Sequence, residues 1–220
     1  MRPAIKFCGL TRPADAAQAV QLGAGYIGVI FADGPRRLTV AAAREVYAGA
    51  AQGGDATRAP RRVAVFAVAT ADAILATAES AGADIVQLHG DPDPDTAREV
   101  RDRFAGEVWS VVRVDGALPE ESYELFGVSD AIVLDKLDAR LIGGTGRSFD
   151  WGAAAGSLAR SRPRMLVLAG GLRAANVGDA IQLLRPDVVD VSSGVESSIG
   201  IKDHALMKEF AAAVAAADRE

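Results

Sequence analysis

Two reactive side chains each stand at the end of a short apolar run, and their types suit acid–base chemistry. Cys8 ends the run at residues 3–8, and Asp135 directly follows the run at 131–134. An ionised thiol can remove a proton, and a carboxyl group in apolar surroundings has a raised pKa and can donate one near neutral pH. Both also have a structural interpretation, because free cysteines are commonly buried and a carboxylate can cap the loop that follows it. If their strands share a sheet, they could face each other as base and acid.

Three glycine-rich turns could bind a phosphate group through their backbone. They follow the last three apolar runs, and none has the lysine–serine ending of a Walker motif. Glycine lets backbone N–H groups approach an anion closely, although it also makes ordinary turns. Barrel enzymes often bind phosphate with the loops after strands 7 and 8, which favours a phosphate site. The candidate residues are Gly144, Thr145, Gly146, Gly170, Gly171, Ser193 and Gly194.

Charged residues near other strand ends are candidates for holding the rest of a ligand. Arg36 and Arg37 follow a proline after the second run, and a guanidinium fork suits a carboxylate, although most exposed arginines are solvated loop charges. His89 ends the fourth run, where it has either a structural role or a place beside the ligand. Asp190 lies within the eighth run. His204 is expected on the surface or in helix packing.

Composition and charge exclude several classes of protein. No apolar run reaches the ~18 residues of a membrane span, and the first residues lack the apolar stretch of a secretory signal. The net charge of −5, from 24 basic and 29 acidic residues, does not favour binding to nucleic acid or to an anionic membrane. One cysteine allows no internal disulfide, so a cytoplasmic protein is expected. Two histidines without metal-ligand spacing do not favour a metal site.

The elements that position these residues alternate along the whole chain. Short runs, mostly apolar at consecutive positions, are typical of strands buried on both faces of a parallel sheet. These runs lie at residues 3–8, 26–31, 62–68, 85–88, 108–114, 131–134, 165–168 and 188–191. Helices are predicted at 13–22, 40–51, 71–81, 94–104, 120–126, 151–159, 174–184 and 203–217, with N-caps at Thr39, Thr70, Asp93 and Asp150. Eight regular units predict an α/β fold, a single-domain (β/α)8 TIM barrel over residues 1–220.

Several motifs resemble those of the phosphoribosylanthranilate isomerase family. Lys6-Phe7-Cys8-Gly9-Leu10-Thr11 is similar to the family signature Lys-Ile-Cys-Gly-Ile/Leu-Thr. Further matches are Val86-Gln87-Leu88-His89-Gly90, Val133-Leu134-Asp135, Gly143-Gly144-Thr145-Gly146 with Phe149-Asp150-Trp151, Leu168-Ala169-Gly170-Gly171-Leu172 with Asn176-Val177, and Val189-Asp190-Val191-Ser192-Ser193-Gly194-Val195-Glu196. The matches run in order from residue 5 to about 204, and their combination is highly specific.

The resemblance implies a cofactor-free enzyme of tryptophan biosynthesis. It would convert N-(5-phosphoribosyl)anthranilate to 1-(2-carboxyphenylamino)-1-deoxyribulose 5-phosphate by an Amadori rearrangement, with Cys8 as general base and Asp135 as general acid. Arg36 matches the arginine that holds the anthranilate carboxylate, and Asp190 matches an aspartate that contacts the substrate. The phosphate would lie on backbone amides of the glycine-rich turns. Members of the family act as monomers or dimers or are fused to a partner enzyme, so a monomer or homodimer is expected.

Two departures from the family pattern bear on the site. Lys136 stands where relatives commonly have serine or threonine after the acid. The loop after the second run is one residue shorter than in relatives. Matching the motif therefore makes Arg36 the arginine that holds the carboxylate, whereas counting from Phe31 makes it Arg37. Two other functions remain as alternatives, a related phosphosugar barrel enzyme and a catalytically silent barrel that binds a phosphorylated ligand. Related enzymes typically carry aspartate or lysine at the position of Cys8, which argues against the first.

Overall fold

The eight apolar runs form eight parallel strands that pair in sequence order and close on themselves. The computed structural model describes residues 2–51, 53, 59–137 and 149–217. The strands are β1 (Ala4–Phe7), β2 (Tyr26–Ile30), β3 (Arg61–Phe66), β4 (Ile85–Leu88), β5 (Glu107–Val114), β6 (Ala131–Lys136), β7 (Leu166–Leu168) and β8 (Val188–Val191). β8 pairs with β1 and closes the barrel. The predicted (β/α)8 barrel is confirmed.

In the part of the chain that the structure describes, eight α-helices alternate with these strands. They are α1 (Pro13–Gln21), α2 (Val40–Ala50), α3 (Ala71–Ala81), α4 (Pro94–Arg103), α5 (Leu125–Val128), α6 (Trp151–Arg160), α7 (Val177–Leu184) and α8 (His204–Ala217). α7 begins three residues later than predicted, because the Asn176 side chain accepts a hydrogen bond from the Arg173 N–H and holds a turn there. Within the described ranges, no helix is both long enough and apolar enough to cross a membrane.

Local capping chemistry starts four of the helices where the sequence predicted. Each capping side chain accepts a hydrogen bond from a backbone N–H in the first helical turn, which would otherwise have no partner. The four caps are Thr39 before α2, Thr70 before α3, Asp93 before α4 and Asp150 before α6. These contacts fix where each strand-to-helix loop ends.

One small element was not predicted. After β8 a short 3-10 turn, Ser193–Val195, leads into an antiparallel hairpin of β9 (Glu196–Ser198) and β10 (Ile201–Lys202). The hairpin is too short and too polar to show a strand pattern in the sequence. It connects the end of β8 to α8.

The strands are apolar on both faces because they separate two cores. One face packs on the helices, and the other fills the barrel interior with residues such as Val65, Trp109 and Val167. At the amino end of the barrel, Arg61 pairs with Glu107, which also accepts a hydrogen bond from the Trp109 indole. Polar residues that point inward at the carboxyl end of the barrel are therefore supported by a packed interior.

Candidate active site

The predicted acid and base lie at the same end of the barrel. Cys8 directly follows β1 and extends its pairing with β8, since its N–H donates to the Val191 carbonyl at 2.9 Å. Asp135 is the penultimate residue of β6, in register with Arg113 on β5. Because parallel strands present their carboxyl ends at one edge, both side chains belong to the mouth where barrel enzymes carry their sites.

A buried ion pair lies between these two groups. The Lys6 ammonium donates to Asp190 Oδ2 at 2.7 Å, and the two residues are in register across the closure of the barrel. Burial alone lowers the pKa of Lys6, but its interactions with Asp190 and with Cys8 outweigh burial and hold that pKa above its ordinary value. The other oxygen, Asp190 Oδ1, is buried and accepts no hydrogen bond from the described residues. It is an acceptor site at the barrel mouth.

Cys8 is buried beside this pair. Gly28 leaves room for it, since a Cβ at that position would lie 3.1 Å from the Cys8 Sγ. Burial raises the pKa of the Cys8 thiol, and the positive charge of Lys6 acts in the opposite direction. Burial therefore favours the protonated thiol, and Lys6 is a cation placed to favour the thiolate when the proton leaves.

Asp135 has the environment of a carboxyl group that can hold a proton. Its side chain is 23% exposed, and its Oδ1 accepts the Lys136 backbone N–H at 2.8 Å. The His89 Nε2 lies 3.5 Å from Asp135 Oδ2, which brings His89 to the mouth. Burial raises the pKa of Asp135, although His89 and the Lys136 N–H oppose the rise. The residue after the acid thus contributes a backbone hydrogen bond to it.

The two arginines of the β2 loop point in different directions. Arg36 is 23% exposed and packs against Gly9, directly after Cys8, since a Cβ there would lie 2.9 Å from the Arg36 Cδ. Arg37 is 60% exposed and pairs with Asp33. Only Arg36 therefore lies beside the mouth.

Two of the three glycine-rich turns meet above the barrel. Gly170 and Gly171 both have positive φ angles, +84° and +73°, which glycine adopts without strain. Gly194 packs so closely on the segment after them that a Cβ would overlap the Leu172 carbonyl oxygen. The loops after β7 and β8, with Ser193, thus form one continuous backbone surface. Gly144, Thr145 and Gly146 lie outside the described residues.

Gly194→Ala is expected to push these two loops apart. The new methyl group would meet backbone rather than a flexible side chain, so the free energy of unfolding should fall by about 1–3 kcal/mol. KM for a phosphorylated substrate should rise several-fold because the backbone N–H groups move. Denaturant unfolding and steady-state kinetics check this. Gly178→Ala is the control, since nothing lies within 4 Å of a Cβ at Gly178 in α7; equal effects of the two changes would contradict the prediction.

Comparisons with known proteins identify the chain. The sequence model of a family described as N-(5'phosphoribosyl)anthranilate (PRA) isomerase matches residues 5–213. The chain belongs to this family. An N-(5'-phosphoribosyl)anthranilate isomerase from Halorubrum lacusprofundi is 38% identical over 218 residues, which covers 94% of each sequence. The resemblance seen in the motifs is confirmed.

Solved PRA isomerases have the same fold. The protein from Thermotoga maritima superposes with a TM-score of 0.83 and 32% identity, covering 97% of this chain and 99% of that one. Monomers generated from that dimeric protein give a TM-score of 0.78 at 32% identity, with 97% and 99% coverage. A PRA isomerase in complex with reduced 1-(o-carboxyphenylamino)-1-deoxyribulose 5-phosphate gives 0.80 at 30% identity, with 97% and 99% coverage.

Sequence reasoning about this PRA isomerase family member missed several polar residues of the mouth. Lys6, Gln87 and Glu196 were named only as parts of motifs, and Lys202 was not named at all. The available signal was a long polar side chain inside an apolar run, as in Ile5-Lys6-Phe7. Gln87 faces the interior, because its neighbours on β4 pack outward, and its Oε1 is buried without a partner among the described residues.

His204 takes part in helix packing, one of the two roles expected for it. Its Nε2 lies 2.9 Å from Oδ1 of Asp15, a fully buried residue in the first turn of α1. The contact ties the start of the last helix to the first one. Over residues 2–51, 53, 59–137 and 149–217, no group of three or more His, Cys, Asp or Glu side chains is placed to hold a metal ion.

Proposed function

We propose that this chain isomerises N-(5'-phosphoribosyl)anthranilate to 1-(2-carboxyphenylamino)-1-deoxyribulose 5-phosphate in tryptophan biosynthesis. The observation that carries the proposal is the arrangement of Cys8 and Asp135 at one barrel mouth, both in electrostatic contact with the buried pair Lys6–Asp190. The family match over residues 5–213 supports the same substrate. The whole chain, 1–220, would serve as one catalytic domain.

The reaction needs one acid and one base. The protonated Asp135 gives its proton to the ring oxygen of the ribose, and the C1′–O bond breaks to leave an iminium ion. Cys8, as thiolate, removes the proton from C2′, and the electron pair of that C–H bond forms the enolamine. Tautomerisation then gives the ketone. The iminium ion is itself the electron sink, so no cofactor is required by this chemistry.

Binding would use the remaining residues of the mouth. Arg36 would hold the anthranilate carboxylate through its guanidinium fork. Asp190 and His89 would contact the sugar, Asp190 through its Oδ1, which has no hydrogen-bond partner among the described residues. Backbone N–H groups of Gly170, Gly171, Ser193 and Gly194 would hold the phosphate, with Gly144, Thr145 and Gly146 contributing from the loop after β6. The protein would work in the cytoplasm as a monomer or homodimer, which the single cysteine and a dimeric relative support.

The acid and base together predict a bell-shaped pH profile for kcat/KM. Below the pKa of Asp135, which burial raises, both groups are protonated and no thiolate is present. Above the pKa of Cys8, which burial also raises, both are ionised and no acid is present. Between them the pair shares one proton, and the productive form is a constant fraction. The alkaline limb should therefore lie above the ordinary range of a thiol; a rate that falls already near neutral pH would contradict this.

A fluorescence assay tests the function. Freshly generated phosphoribosylanthranilate is followed by loss of the anthranilate signal, with the uncatalysed hydrolysis measured without enzyme. Rapid loss with formation of the carboxyphenylamino ketose, identified by mass and absorbance, supports the isomerase. Decay equal to the enzyme-free rate, with tight binding of the product, would instead show a silent phosphate-binding barrel.

A further inference from the structure

A cluster of three charged side chains lies beside the mouth, on the side of Arg36. Arg36 donates to Glu196 through two bonds, from Nε to Oε1 at 2.8 Å and from Nη2 to Oε2 at 2.6 Å. The Lys202 Nζ donates to the same Oε1 at 2.9 Å. Glu196 and Lys202 are buried, so separating the three groups would leave an uncompensated buried charge. The cluster therefore holds the Arg36 guanidinium in one orientation.

Lys202 also contacts the phosphate side of the mouth. Its Nζ donates to the Ser192 carbonyl at 3.0 Å and lies 3.5 Å from the Ser192 Oγ. Ser192 directly precedes the turn that begins at Ser193. Gly9 packs between Arg36 and Ser192, because a Cβ at that position would lie 2.9 Å from Arg36 Cδ and 3.0 Å from Ser192 Oγ. One ammonium thus connects Arg36, through Glu196, to the backbone of the β8 turn.

The β9–β10 hairpin makes this connection rigid. Glu196 and Lys202 are cross-strand partners in the hairpin. The backbone of Lys202 is held on α1, where the Arg12 guanidinium donates to its carbonyl at 3.0 Å and its N–H donates to Asp15 at 3.3 Å. The hairpin is therefore fixed to the start of α1, and this attachment sets the spacing between Arg36 and the β8 turn.

Among the described residues, Arg36 donates two of its five N–H bonds, both to Glu196. The other N–H groups can serve a second carboxylate. Two cations against one carboxylate leave a net positive charge on the cluster. Burial alone raises the pKa of Glu196, but the hydrogen bonds from Arg36 and Lys202 outweigh it and lower that pKa to about 2, so Glu196 stays ionised near neutral pH.

We propose that Glu196 and Lys202 are positioning residues that determine substrate specificity by fixing Arg36 at a set distance from the phosphate turn. The site then selects ligands that carry a carboxylate and a phosphate at that spacing. The inference rests on the proposed function, in which Arg36 receives the anthranilate carboxylate.

The test compares two probes that differ only in the carboxylate. One is the reduced form of the carboxyphenylamino product, and the other is its counterpart made from aniline. Dissociation constants are measured by titration calorimetry for the unaltered protein, Glu196→Gln and Lys202→Met. Glu196→Gln should raise the dissociation constant of the carboxylated probe about tenfold or more, the loss expected for a charge-assisted hydrogen bond. The dissociation constant of the aniline probe should stay within about twofold. Lys202→Met should raise the dissociation constants of both probes, because it also removes the hydrogen bond from Lys202 to the Ser192 carbonyl.

Matched variants control for charge and for folding. Glu209→Gln and Lys208→Met make the same changes on the exposed face of α8 and should leave the carboxylate preference unchanged. A folded Glu196→Gln that keeps the full preference, or that weakens both probes equally, overturns the inference. If Glu196→Gln does not fold, Glu196→Asp carries the test: it keeps the charge but shortens the reach, and an unchanged preference overturns the inference.

The two proposals fail in different ways. Turnover of phosphoribosylanthranilate by the unaltered protein, together with an unchanged preference in the Glu196 variants, overturns the positioning role and leaves the isomerase function intact. Absence of turnover by the unaltered protein overturns the proposed function, and the positioning role with it.

Discussion

Replacing Cys8 with alanine is expected to lower kcat by about 10²–10⁴-fold, the usual contribution of a general base. Alanine has no group that can accept the C2′ proton, and no other thiol exists in the chain. The loss should be in kcat rather than in binding, because the reduced product analogue does not undergo the proton transfer and its binding needs no base. Anthranilate fluorescence gives kcat, and titration calorimetry gives the affinity for the analogue.

Cys8→Ser separates base chemistry from packing. Serine nearly fills the space beside Gly28, but its hydroxyl ionises far less readily than a thiol, so it should be almost as inactive as alanine. Both variants should keep the circular dichroism spectrum and the analogue affinity of the unaltered protein. Near-normal turnover by folded Cys8→Ala would remove Cys8 from the mechanism and require another base.

Asp135→Asn is expected to lower kcat by a similar factor, about 10²–10⁴-fold. The amide keeps the shape of the side chain and can still accept the Lys136 N–H at Oδ1, so the local structure should persist. It has no acidic proton to give to the ring oxygen. The alkaline limb of the kcat/KM profile, where the acid loses its proton, should also disappear, and the residual rate should rise with pH up to the raised pKa of Cys8. Steady-state kinetics across the pH range measure both effects.

Asp91→Asn is the matched control for this change. Asp91 is an exposed carboxylate that follows His89 by two residues and has a φ of +49°, a conformation that asparagine also tolerates. The same substitution there should leave kcat within about twofold, because Asp91 is exposed and an exposed ion pair such as Asp91–Arg113 contributes little. A large loss from Asp91→Asn, or an alkaline limb that survives in Asp135→Asn, would show that Asp135 is not the proton donor.

The barrel and its helix starts were predictable because the signals that specify them are short-range. A strand covered on both faces needs consecutive apolar residues, and a helix start needs a side-chain acceptor such as Thr39 or Asp93. Both requirements are visible within a few residues of sequence. The hairpin β9–β10 shows no such pattern, since its strands have three and two residues. Whether the hairpin forms depends on the residues that its strands contact in the folded protein.

The sequence by itself determined which residues stand at strand ends, including Cys8, Asp135 and the glycine turns, and so the kind of chemistry at the mouth. The tertiary structure alone decided which charges meet. Lys6 and Asp190 are separated by 184 positions and pair only because β8 closes on β1. Arg36 rather than Arg37 reaches the mouth because Glu196, 160 positions away, holds it there. Long-range partners leave no periodic trace in a sequence, since an ion pair depends on the folded distance between two groups and not on their spacing along the chain.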